Sequence, residues 1–249
     1  MPRRKLMKAS TFEFRSRSWI ITGIFIGAFS VYALGDQNLV VALLAWLKRW
    51  PAIAPVTAAR AAFGLGAMLA LLCALIRSWA AAYLNTRVVH DQQLHSSRLV
   101  ADGPYRHLRN PLYLGTILLA FGFVPMTSRF GAPVLVVGIS TFIYRLIRRE
   151  ESELLASQGE PFREYCKAVP SLLPSLAPRV PPSGGKPKWL QGLVGETMMW
   201  GFFVALAGFA LTFSPRVYGF AVAFALLSSV VVKAAVWRRP KTPAVESAV

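Results

Sequence analysis

Two short segments hold most of the side chains able to do chemistry. The first runs Gly103-Pro104-Tyr105-Arg106-His107-Leu108-Arg109-Asn110-Pro111-Leu112-Tyr113-Leu114-Gly115. Gly-Pro marks a turn, and Asn110 before Pro111 reads as a helix N-cap and first helical residue. A helix starting there offers free backbone N–H groups and its positive dipole end, with Arg106 and Arg109 alongside, which suits a carboxylate or phosphate. Taken alone, the segment is read more simply as a capped helix with ordinary flanking arginines. The second segment is Arg148-Arg149-Glu150-Glu151, followed by Leu154, Gly159, Phe162, Tyr165, Val169-Pro170 and Pro174. Adjacent glutamates at the end of an apolar helix face the negative dipole end, and membrane-edge acids usually have a partner. Pairing of Glu150, Glu151 and Glu153 with Arg148 and Arg149 on a solvated helix is an equal alternative.

The elements that must position these residues are membrane helices. Of 249 residues, 55% are hydrophobic and only 16% charged, against about 45–50% and 25% in soluble domains. That composition excludes a disordered chain, a disulfide scaffold and a collagen-like repeat. The two cysteines, Cys73 and Cys166, make no framework. Uncharged runs at residues 18–35, 61–76, 110–128, 130–144, 197–215 and 217–232 predict six transmembrane helices in an all-α, polytopic protein, the shorter runs spanning if flanking arginines snorkel. Residues 37–47 are too short to cross and read as interfacial or re-entrant. Val31-Tyr32-Ala33 resembles a signal-peptide cleavage site, but the long basic lead and long apolar run favour a retained helix.

Lys and Arg set the orientation. With six crossings and both termini in the cytoplasm, 23 basic residues fall inside and 5 outside. Topology and anionic lipid therefore account for the net charge of +17 without nucleic acid. The expected location is an integral membrane protein of the bacterial inner membrane. Four regions follow: residues 1–59, an N-terminal span and interfacial segment; 60–174, the membrane core; 175–192, a Pro/Gly-rich linker; and 193–249, a C-terminal hairpin with a basic tail. Residues 77–109 read as an irregular loop whose start extends the second span, and 148–168 as one charged helix leaving the membrane. The third and fourth spans must form a tight hairpin, which puts the two chemical segments side by side.

Taken together, the two segments resemble the isoprenylcysteine carboxyl methyltransferase family, within a wider group that includes phospholipid N-methyltransferases. The likeness rests on Gly103, Pro104, Tyr105, Arg109, Pro111, Tyr113, Gly115, Glu150, Glu151, Leu154, Gly159, Tyr165, Val169, Pro170 and Pro174. Arg77-Ser78-Trp79-Ala80 also looks like the family's segment at the end of the preceding span. Asn110 stands where eukaryotic members have His, as in bacterial relatives, Phe162 replaces a common Tyr, and Gln158 stands where Phe is usual before Gly159.

The resemblance implies methyl transfer from S-adenosylmethionine to a lipophilic acceptor at the cytoplasmic side. It implies that Tyr105, Arg109, Asn110, Pro111 and Tyr113 line the cofactor site, with Glu150 and Glu151 opposite. Arg149 or Arg145 would position an anionic acceptor head. A carboxylate acceptor needs no base; an amine acceptor must lose a proton, which makes Glu150 or His107 a candidate base. Carboxyl O-methylation is the leading expectation. Phospholipid headgroup N-methylation, a related sterol-reductase activity and a non-catalytic membrane protein are the alternatives. No metal site is expected: His90, Asp91 and His95 lack a third ligand at metal spacing. Gly64 and Gly66, with Ala61 and Ala67, suggest close helix packing.

Overall fold

The computed structural model describes residues 8–35, 37–47, 54–84 and 101–237. His90, Asp91 and His95, and both chain ends, lie outside these residues. In chain order the helices are α1 (Thr11–Arg15), α2 (Arg17–Ser30), α3 (Leu39–Leu47), α4 (Pro55–Tyr83), α5 (Pro111–Phe123), α6 (Gly131–Gln158), α7 (Glu160–Ala168), α8 (Trp189–Gly195), α9 (Thr197–Thr212) and α10 (Pro215–Trp237). No strand occurs among the described residues.

Four helical stretches are long and apolar enough to cross a membrane: Arg17–Leu34, Pro55–Tyr83, Gly131–Gln158 and Pro215–Val232. The pair α8–α9, bent by 61° at Glu196, makes a fifth if taken as one broken span. The six expected crossings are not reached by this measure, because Pro111–Met126 falls short. Proline bounds it at both ends. Pro111 starts α5, and Pro125 falls in a 3-10 turn over Val124–Met126, where its missing N–H cannot continue an α-helix. The tight hairpin is present: Ser128 Oγ accepts from Gly131 N at 3.0 Å and opens α6.

At about 1.5 Å per residue, the 28 residues of α6 rise about 42 Å, more than the roughly 30 Å of a hydrocarbon core. Its polar end, from Arg145 onward, therefore stands clear of the apolar part. The single charged helix expected over 148–168 is two helices. Gly159 takes φ 63°, ends α6 and lets α7 turn away, a backbone setting that glycine adopts without strain.

The core joins α4, α5, α6 and α9 through Ala67, Ala70, Ala74, Leu119, Phe123, Leu135, Ile139 and Leu206. Alanine and glycine let the backbones of α4 and α5 approach. A Cβ on Gly66 would lie 2.5 Å from the Gly122 carbonyl oxygen, whereas one on Gly64 would meet nothing within 4 Å. Close packing thus belongs to Gly66 and not to Gly64.

The Pro/Gly-rich segment is extended, and it is fastened along its length. It runs back along residues 102–110: Arg109 N donates to Pro170 O (2.9 Å), Ser175 N to His107 O (3.0 Å) and Arg179 N to Arg106 O (2.8 Å). Asp102, buried, accepts from Ser183 N (2.7 Å) and Gly185 N (2.9 Å). Lys188 N then donates to Ala82 O at 2.7 Å. This strap carries the chain from α7 to the foot of α4, where α8 and α9 pack.

Candidate functional site

The start of α5 and the polar part of α6, about two turns before its end at Gln158, meet through two carboxylates. Four donors converge on one oxygen, Glu151 Oε1: Arg109 Nε (2.9 Å), Arg109 Nη2 (2.9 Å), Asn110 Nδ2 (3.2 Å) and Ser171 Oγ (3.2 Å). The other oxygen, Oε2, receives none of these four. One helical position earlier, Glu150 Oε1 accepts from the Tyr113 hydroxyl at 2.7 Å and lies 4.0 Å from Arg17 Nη1. The alternative in which Glu150 and Glu151 pair with Arg148 and Arg149 along their own helix is not the arrangement found. Only Glu153 does so, with Arg149 Nε at 2.6 Å.

Asn110 occupies the N-cap position of α5 but makes no side-chain cap bond. Its amide donates instead to Glu151 and to the Ser171 carbonyl and hydroxyl, each at 3.2 Å. Its backbone φ of −124° and ψ of 57° depart from the extended values usual at an N-cap. The expected capping bond is therefore absent for a geometric reason, and the residue joins three elements. Pro111 at the first helical position is fully buried.

Arg109 has all three nitrogens engaged. Beyond Glu151, its Nη1 donates to Cys166 O (2.8 Å) and Val169 O (2.5 Å). It thus sits near the C-terminal end of α7, where a cation is favoured by the dipole, and it orients Glu151. Tyr105 is buried, and its carbonyl accepts from the Tyr165 hydroxyl at 2.7 Å. Burial first, then Tyr165 and Glu150, push the Tyr105 phenol well above its ordinary range. Burial likewise raises Tyr165. Both phenols stay neutral donors through the physiological range.

Arg149 and Arg145 point elsewhere. Arg149 Nη1 donates to Ala9 O (3.2 Å) and Thr11 Oγ1 (3.3 Å), and its guanidinium lies 5.2 Å from the Phe14 ring centre. Arg145 Nη2 donates to Glu13 Oε2 at 2.8 Å. Both hold the N-terminal segment against α6. The cation beside Glu150 is Arg17, itself 4.6 Å from the Phe14 ring centre. His107 Nδ1 lies 2.8 Å from Ser175 O and its ring stands 5.9 Å from that of Trp79, so it serves the strap.

Sequence reasoning missed Ser171, Arg17 and Glu196. Glu196 is 2% exposed and holds Arg77 through two bonds, Nε to Oε2 (2.7 Å) and Nη2 to Oε1 (3.0 Å). One signal was present: Glu196 is the single acid between Glu164 and Glu246, at the edge of a long apolar run. Among the described residues no group of three or more His, Cys, Asp or Glu is placed to hold a metal ion.

Residues 61–158 match the family model described as phospholipid methyltransferase. Three curated relatives are similar over parts of the chain. The cobalt-zinc-cadmium resistance protein CzcN of Cupriavidus metallidurans is 29% identical over 45% of this chain and 49% of its own. The protein-S-isoprenylcysteine O-methyltransferase of Schizosaccharomyces pombe is 29% identical over 36% of this chain and 39% of its own. The methanethiol S-methyltransferase of Mycobacterium tuberculosis is 36% identical over 28% of each chain. The chain thus spans half or less of the curated relatives it matches. No solved structure matches it. The resemblance to the isoprenylcysteine methyltransferase group is supported, and residues 61–158 carry a domain of the methyltransferase type.

Proposed function

We propose that the protein is an S-adenosylmethionine-dependent integral membrane methyltransferase acting on a lipophilic acceptor by carboxyl O-methylation. The observation that carries this is the meeting of the two motifs, Tyr113 on Glu150 at 2.7 Å and Arg109 on Glu151 at 2.9 Å, inside the matched domain. The donor set fits the cofactor. S-adenosylmethionine has a ribose diol, an α-amino group, a carboxylate and a sulfonium. Glu151 Oε2 can accept from a hydroxyl or an ammonium while Oε1 stays fixed by its four donors. Glu150 supplies a second carboxylate, and the first turn of α5 favours an anion. Tyr113 adds an aromatic face suited to a cation. Arg109 acts here by orienting Glu151 rather than by reaching the ligand itself.

When bound, the cofactor supplies an activated methyl group. Displacement at that carbon needs alignment more than a strong base, so the chain's task is to fix both partners and exclude water. A carboxylate acceptor fits this, since it attacks without losing a proton. An anionic acceptor head would meet Arg17, the cation beside Glu150.

The description of the matched family supports a second reading, N-methylation of a phospholipid headgroup. There Glu150 would accept the proton that an amine releases. Labelled methyl groups separate the two. Membranes containing the protein, incubated with methyl-labelled S-adenosylmethionine and total lipid extract, should yield a label that mild base releases as methanol. A base-stable label would favour the amine product, and absence of labelled product would count against both. The proposed site lies at the cytoplasmic face of a bacterial inner membrane with both termini inside. A reporter fused after Val249 should therefore be active only in its cytoplasmic form.

A further inference from the structure

Beneath the start of α5 lies an ion pair that the donor reading does not use. Arg77, near the end of α4, spends its guanidinium on two sides. Nε and Nη2 take the two oxygens of Glu196 at 2.7 and 3.0 Å, while Nη1 donates to Leu112 O and Thr116 Oγ1, both at 3.0 Å. Leu112 precedes Tyr113, and Thr116 lies one turn beyond Leu112. Glu196 stands outside residues 61–158, at the break between α8 and α9.

We infer that Glu196, acting through Arg77, is a positioning residue for the first turn of α5, so that the C-terminal unit is a working part of the site. The inference rests on the methyl-donor reading above. Three features support it.

First, the path for Arg77 is cleared by sequence. A Cβ on Gly115 would run into Arg77 Cγ, so glycine lets the arginine stem pass beside α5. Second, the place of Glu196 is set independently of the pair. The strap delivers α8 to the foot of α4, where a Cβ on Gly192 would lie 2.5 Å from Ser78 O. Trp200 Nε1 then donates to Ser78 Oγ at 3.0 Å. Third, an ion pair is a poor choice if holding helices together is the only task. A well-packed apolar pair of equal volume is commonly as stable or more so. What the planar fork adds is direction. Bonds to Glu196 on one side and α5 on the other fix the rotation and height of the turn that carries Asn110 and Tyr113.

Two variants of the full-length protein in detergent test this, with S-adenosylhomocysteine as the calorimetric probe and thermal unfolding alongside. Thr116→Val removes one contact of Arg77 with α5 and leaves the Glu196 pair in place. It should keep its melting temperature and bind the probe several-fold more weakly. The double change Arg77→Met with Glu196→Met replaces the pair by apolar side chains and avoids a lone buried charge. It should recover stability close to the wild type yet bind at least about tenfold more weakly, as expected when several directed hydrogen bonds are lost. Wild-type affinity in either variant overturns the inference. If the double variant fails to fold, Thr116→Val decides alone. A wild-type protein that does not bind the probe removes the donor reading, and this inference with it, before any variant is compared.

Discussion

Tyr113 and Glu150 sit on different helices and are joined by a 2.7 Å hydrogen bond from the phenol to the carboxylate. That bond locks the start of α5 to the polar part of α6, about two turns before its end, at the point where the two sequence motifs meet. The sequence places Glu150 at a helix end, but α6 continues eight residues further, to Gln158, so the dipole penalty, confined to the last turn, does not reach it. A structural residue there should tolerate Gln, whose amide oxygen can still accept from the Tyr113 hydroxyl. A cofactor ligand should not, since losing a charged acceptor costs about 1.5–3 kcal/mol, or roughly ten- to hundredfold in affinity. Glu150→Gln should therefore insert and fold normally but bind S-adenosylmethionine poorly. Glu153→Gln, whose side chain pairs with Arg149 along its own helix, should be nearly silent. Titration calorimetry on both variants checks this, and equal affinities would return Glu150 to a structural role.

Glycine positions give a second contrast. Gly115→Ala places a methyl group against the Arg77 stem, whereas Gly64→Ala meets open space. Overpacking at the first should cost about 1–3 kcal/mol. At the second, the better helix propensity of alanine, up to about 1 kcal/mol, should leave stability unchanged or raised. Thermal unfolding in detergent should rank the proteins Gly64→Ala, wild type, Gly115→Ala from most to least stable. The reverse order would mean that Arg77 is not packed as described.

The N-terminal segment should respond to acid. Ser10 caps α1 reciprocally with Glu13, and Glu13 also accepts from Arg145 at 2.8 Å. The backbone hydrogen bond from Ser10, opposed by some burial and helped by the Ser10 hydroxyl and Arg145, holds the Glu13 carboxyl below its usual range. A depressed folded-state pKa gives stability that is full above the unfolded value and is lost as pH falls through the folded one. The stability difference between wild type and Glu13→Gln should thus be present near neutral pH and shrink below about pH 4, the ordinary range of the free carboxyl. A difference independent of pH would mean that the charge on Glu13 does not fasten the segment.

Much of the membrane core was legible because uncharged runs and paired motifs are local signals. The runs beginning near residues 18, 61, 130 and 217 became helices able to cross, and the tight turn before Gly131 followed from its length. Proline at 125 shortened the third run in a way that counting uncharged residues does not register. Gly159 split a charged stretch whose composition alone suited one helix. At the site, Tyr113, Glu150, Arg109 and Glu151 are close because the hairpin must bring its two polar ends together. Ser171 and Glu196 reach the same region through the strap, by hydrogen bonds between segments some sixty to eighty residues apart, such as Arg109 N to Pro170 O and Ser183 N to Asp102. No periodicity encodes such pairings. Arg149, which sequence reading set beside an anionic acceptor head, has its side chain on Ala9 and Thr11, a contact with the N-terminal segment that no local motif announces.

Arg109 offers the most discriminating substitution. Its guanidinium spans Glu151 on one side and the Cys166 and Val169 carbonyls on the other, at 2.5–2.9 Å. Arg109→Lys keeps the charge but has one nitrogen and no fork, so it can serve Glu151 or the α7 carbonyls and not both. If Arg109 mattered only as a positive charge near a bound carboxylate, Lys would retain most of the affinity for S-adenosylhomocysteine. If it orients Glu151 from a fixed α7, Lys should lose nearly as much as Ala, on the order of tenfold or more, from about 1.5–3 kcal/mol per charged hydrogen bond. Arg109→Ala should also loosen α7, since two carbonyls lose their donor. Protection of the amides of residues 160–169 against hydrogen exchange should fall in both variants, and further in Ala. Near wild-type binding by Arg109→Lys, with α7 protection intact, would show that charge alone suffices at this position.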